Sequence, residues 1–137
     1  MRYAAYLAVA LSIGTPAFAG ETNRQYDGTW NTIVSCPNDQ DALGYAFEFL
    51  SNVKDGVLHG EKGTKDTAGW LQIDGPIADD GTASLFANGL VGAAPYAVGH
   101  QPAGTQYGYH IDTKFSGQSG IGHRVEGRPC TVEFKKL

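Results

Sequence analysis

The chain holds only two cysteines, Cys36 and Cys130, and each borders a stretch that reads as a β-strand. In Gly28-Thr29-Trp30-Asn31-Thr32-Ile33-Val34-Ser35-Cys36, the residues Trp30, Thr32, Val34 and Cys36 share one face at period two. Near the other end, Cys130-Thr131-Val132-Glu133-Phe134 alternates in the same way. If the two stretches are antiparallel neighbours with Cys36 opposite Cys130, then Val34 lies opposite Val132 and Thr32 opposite Phe134. The apolar residues then share a face. A first strand beside a last strand closes a barrel.

Compartment supports the pairing of the two thiols. Arg2, an apolar core from Ala4 to Ile13 and Ala17-Phe18-Ala19 form a secretory signal pattern, too short to span a bilayer. Residues 1–19 are expected to be removed, leaving 20–137 as a single β-barrel domain, periplasmic or secreted, with no membrane insertion after cleavage. In such a chain two cysteines are most simply one disulfide. Two distant thiols are too few for a metal site, and a catalytic thiol would have to stay reduced. Without Arg2, nine basic side chains face fourteen acidic ones, a formal charge of −5. That balance argues against a nucleic-acid partner or an anionic-lipid surface.

Between the cysteines, alternation and turn residues mark six further strands. Tyr45, Phe47, Phe49, Ser51 and Val53 share one face of the second, and the third runs from Val57 to Lys62. The fourth covers 70–77, with Pro76 at its frayed end. Ala83, Leu85, Ala87, Gly89 and Val91 define the fifth, and Tyr107, Tyr109, Ile111, Thr113 and Phe115 the sixth. The seventh, 120–126, is glycine-rich and its inward face is ambiguous. No helical stripe is present. The expected fold is an all-β, eight-stranded antiparallel up-and-down barrel closed by first–last strand pairing and one disulfide.

Connection lengths give this barrel two different ends. The connections at 54–56, 78–81 and 116–119 are tight, and Lys54-Asp55-Gly56 supplies the positive φ of a hairpin turn. Those at 37–43, 63–69 and 92–106 are long. In a meander, the tight ones gather at one end and the long ones at the other. Loops of this size in a compact domain are often functional.

Gly28-Thr29-Trp30, opening the first strand of an exported eight-stranded barrel, resembles the Gly-x-Trp start of lipocalins and the similar start of avidins, members of the calycin group. The resemblance implies a tryptophan that plugs the closed end, and the turn pattern independently places Trp30 there. Lipocalins also set a late-strand arginine against that tryptophan. The arginines available here, Arg124 and Arg128, fall toward the loop end, and the chain lacks the lipocalin C-terminal helix. The avidin biotin-contact positions do not match one by one.

Candidate ligand-binding residues gather at the loop end: Tyr45, Tyr107 and Tyr109 from strand tops, Trp70, Tyr96 and His100 from loops, and Arg124 from the seventh strand. Aromatic rings with polar tips suit a small organic or sugar-like ligand. The same rings could instead fill the barrel as core. Arg124 shares a face with Gly120, Gly122 and Glu126, while Ile121 and Val125 lie on the other. Two β-branched residues against two glycines favour Ile121 and Val125 inward and Arg124 in solvent. The histidines His59, His100, His110 and His123 show no metal spacing, and no catalytic motif or cofactor signature is present. The expectation is a non-enzymatic barrel that binds a small molecule. The alternative is a module that binds or inhibits another exported protein through loop 92–106.

Overall fold

A computed structural model describes residues 23–137; the expected signal segment lies outside them. Eight strands follow in order: β1 (Gly28–Cys36), β2 (Tyr45–Lys54), β3 (Val57–Lys62), β4 (Leu71–Pro76), β5 (Thr82–Leu90), β6 (Gln106–Ser116), β7 (Ser119–Arg124) and β8 (Thr131–Lys136). Each pairs antiparallel with its neighbour, and β8 returns to β1, closing the barrel. The seam has the expected register, Val34 facing Val132 and Thr32 facing Phe134. Cys36 and Cys130 are disulfide-bonded just beyond it, at the loop end.

The tight end is packed solid. Trp30 is fully buried and meets Phe115 edge-on at 5.3 Å, and Phe115 packs on Phe134 at 5.0 Å. Tyr26, ahead of β1, adds a third ring against Phe115, and its carbonyl accepts the Trp30 indole N–H at 2.9 Å. The cation over Trp30 is Lys136, the last residue of β8, with its Nζ 6.0 Å from the ring. Leu58, Ile73, Leu85, Ile111 and Val132 belong to the same buried cluster. The Asp55-Gly56 turn has positive φ at both residues, 51° and 76°, which matches the right-handed twist of the strands it joins.

Inward glycines let large neighbours lie flat across the wall. A Cβ on Gly120 would meet the Phe115 ring at 2.7 Å, and one on Gly122 would meet Ile111 at 2.6 Å. These contacts decide the facing of β7. Gly120 and Gly122 point inward, and Ile121 and Val125 are 42% and 54% exposed. The expectation of inward Ile121 and Val125 is therefore wrong. At these positions the inside of the barrel is already filled from β6, so a branched side chain has no room and glycine fits.

The disulfide closes a loop of 94 residues in sequence. Constraint of the unfolded chain then contributes about 4 kcal/mol. The double variant Cys36→Ala/Cys130→Ala is expected to lose about that much in urea unfolding; a loss below about 1 kcal/mol would show that strand pairing alone holds the seam.

Candidate functional site

Above the packed half, the barrel is open. A cavity of about 780 Å³ lies between the tops of β2, β3, β5, β6 and β7 and the loops 37–43, 92–106 and 127–129. Four aromatic rings line it, those of Tyr45, Phe47, Tyr96 and Tyr107. Tyr45 and Phe47 stack at 5.6 Å with planes 5° apart, and Tyr107 and Tyr109 stack at 6.1 Å, also 5° apart. Period-two alternation on β2 and β6 produces both pairs, since residues two apart share a face. Tyr107 lies over its cross-strand partner Gly89, where a Cβ would sit 2.6 Å from the phenol oxygen. Tyr96 meets Tyr45 edge-on at 6.2 Å from loop 92–106.

Three cations lie over these rings. The Arg124 guanidinium carbon is 4.1 Å from the Tyr109 centroid, that of Arg128 is 5.3 Å from Tyr45, and Lys62 Nζ is 4.6 Å from Phe47. With the glycine face of β7 inward, Arg124 comes to the cavity rather than to solvent. Glu126 does not follow it. Its carboxylate lies outside the wall, accepting the His110 backbone N–H at 2.7 Å and contacting His110 Nδ1 at 2.5 Å. Those two bonds, the backbone one foremost, hold the Glu126 carboxyl below the usual carboxylate range. Only its backbone carbonyl reaches Arg124, accepting from Nε.

Arg128 ties the rim together. It is 5% exposed, and its Nη1 donates to the Tyr96 carbonyl at 2.8 Å while Nη2 donates to the carbonyls of Pro37 and Leu43, the latter at 3.1 Å. One side chain thus satisfies backbone acceptors in two loops. The same loops are joined directly: Leu43 N–H donates to the Pro95 carbonyl at 2.9 Å, and Gly99 N–H donates to Asp41 Oδ1 at 2.9 Å. A mouth bonded in this way is preformed. The long 92–106 connection contains a 3₁₀ turn, Ala94–Tyr96, and a second turn, Val98–His100, in which Gly99 is left-handed (φ 76°).

Of the seven residues singled out from the sequence, Tyr45, Tyr96, Tyr107 and Arg124 line the cavity. Tyr109 lies beneath Arg124 and is buried. Trp70 and His100 are not among the lining residues. Trp70 precedes inward Leu71 and so projects to the opposite side, where its indole N–H donates to Glu61 at 3.0 Å. His100 turns to loop 37–43, its Nε2–H donating to the Asp41 carbonyl at 2.8 Å. The sequence reading passed over Lys62, Asp39 and the rim role of Arg128. The place of Arg128, two residues before Cys130 in a Gly-Arg-Pro turn, was the available signal.

Comparison with protein-family models, curated proteins and solved structures finds no match to this chain. Its eight-stranded closed barrel is consistent with a calycin-like architecture.

Burial raises the phenol of Tyr109 to about 12, with nearby Tyr45 adding to the effect and Arg124 opposing it. Tyr107 and Tyr45 are likewise raised, mainly by burial. An unfolded chain releases these protons near pH 10, whereas the folded barrel retains them, so above pH 10 the unfolded state binds fewer protons. Their stabilising contribution is complete below that pH and is lost as pH rises through about 12. Ultraviolet titration of phenolate is expected to leave these three tyrosines un-ionised near pH 10 while the fold persists, with Tm falling above it; ionisation of all tyrosines in one step near pH 10 would contradict their burial.

Proposed function

We propose that this chain is an exported, non-enzymatic barrel that binds a small organic or sugar-like ligand in its open half. One observation carries the reading: the barrel is closed and filled around Trp30 but holds an aromatic-walled cavity of about 780 Å³ at the loop end. Small-molecule sites in proteins are typically about 300–1,000 Å³, apolar in the main and fitted with a few polar groups. The bonded rim supports the same reading, because a site that is already shaped loses little entropy when a ligand arrives. The disulfide points to an oxidising compartment outside the cytoplasm, where such a ligand would be met. On this reading the likeness to calycins extends from architecture to use.

A screen of small metabolites and sugars by thermal shift is expected to yield a stabiliser. At a hundredfold excess over Kd it would add about 2.7 kcal/mol. Val91→Trp, which places a large ring in the cavity, should remove the stabilisation while circular dichroism remains that of the native barrel. A screen without a stabiliser, with amide resonances of the cavity wall unmoved by every compound, ends this reading.

A second reading rests on the rim. Tyr96 is 45% exposed and Leu43 51% exposed, and the Leu43 N–H bond to Pro95 holds their loops together. An exposed aromatic beside an exposed aliphatic on a fixed loop is suited to anchoring a protein partner. On this reading, loop 92–106 acts as an interaction or inhibitor module. Capture from periplasmic extract is expected to lose a partner on Tyr96→Ala; an identical partner list for both proteins would remove the idea.

A further inference from the structure

The charge of the cavity is opposite to that of the chain. Acidic side chains outnumber basic ones fourteen to ten overall, yet the charged residues lining the cavity are Lys62, Arg124 and Arg128 against Asp39 alone. Among the described residues, none of these three cations has a carboxylate within 4.0 Å, since every ion pair formed lies elsewhere. Glu126, the acid nearest Arg124 in sequence, is held by His110 on the outer face.

Arg128 is buried with three carbonyls and no counter-ion, and its Nε has no hydrogen-bond partner. Arg124 donates from Nε to a backbone carbonyl, and neither Nη nitrogen has an acceptor among the described residues. The phenols of Tyr45 and Tyr107, also on the cavity wall, have no hydrogen-bond partner there either. A buried guanidinium without a counter-charge, as at Arg128, is costly, and the face of Tyr45 offsets only part of that cost. What the site offers is mostly donors. What it lacks is a negatively charged acceptor beside the cations, since Asp39 lines the cavity without pairing with any of them.

Building on the ligand-site reading, we infer that the ligand is an organic oxyanion, a carboxylate or sulfonate on an apolar or aromatic body. Its charged end is held by the free Nη groups of Arg124, with Arg128 supplying a fixed positive charge on the same wall. Its body lies against Tyr45, Phe47 and Tyr107. Arginine is suited to this role, because its planar fork offers two parallel N–H donors to a pair of oxyanion oxygens. Arg128 is a positioning residue here, since its Nη atoms are already engaged by the rim.

Two fluorescent probes that share a ring system separate this inference from the reading beneath it. Anilinonaphthalene sulfonate carries the anion, and phenylnaphthylamine is its neutral counterpart. Titrated into the disulfide-bonded protein at low salt, the sulfonate is expected to bind about tenfold more tightly or better. Arg124→Gln should bring its affinity down to that of the neutral probe and leave the neutral probe unaffected. Should that variant lose its near-ultraviolet circular dichroism, the unaltered protein decides the matter: the sulfonate preference should shrink as sodium chloride is added, and a salt-independent preference would overturn the inference. Equal binding of the two probes overturns the anion while leaving the cavity as a binding site. Failure of both to bind overturns the two readings together.

Discussion

Everything in this barrel depends on the pairing of β1 with β8. Six residues of each strand are in register along the seam, from Trp30 opposite Lys136 to Ser35 opposite Thr131. A shift of one residue would turn Val34 and Val132 to opposite sides of the wall, so the buried faces fix the register as firmly as the hydrogen bonds do. The disulfide lies at the upper end of the seam and Trp30 at the lower. Between them an open sheet becomes a container with a floor and a mouth. An eight-stranded ring is just wide enough for side chains to fill or for one small molecule to occupy. This chain divides the two outcomes along its axis.

That division explains why the interior could be read from sequence only in part. Alternation on β1, β2 and β6 is unambiguous, because one face carries rings and aliphatics and the other carries Asn31, Glu48, His110 and Asp112. Barrel closure and register follow from it together with the two cysteines. Alternation shows which residues point inward but not how far across they reach. Trp30 and Phe115 fill the lower half, while Tyr45 and Tyr107, equally inward, leave space above them. The difference lies in cross-wall distances, which no single strand encodes.

β7 failed for a related reason. Hydrophobic patterning rewards branched residues on the inside, and Ile121 and Val125 satisfy that rule on the wrong face. The deciding quantity is the volume already occupied by Phe115, Ile111 and Thr113 from β6, which leaves room for Gly120 and Gly122 alone. Trp70 was misplaced by its neighbourhood: it sits in sequence beside the mouth, but one step of alternation turns it to Glu61. Arg128 was legible only as a residue near a turn. Its grip on Pro37, Leu43 and Tyr96 joins positions up to 91 apart in sequence.

The order of the strands has a consequence for how such a molecule comes into being. Contacts between the first and last strands span nearly the whole chain, and closing so large a loop must precede any gain from the contacts it brings. A nascent chain from which residues 128–137 have not yet emerged has no closed wall and no partner for Cys36. Neither a floor plug nor a mouth can be completed by half a barrel. Closure therefore waits on β8: until it is in place the sheet keeps two open edges, and the ring forms in one late step rather than strand by strand.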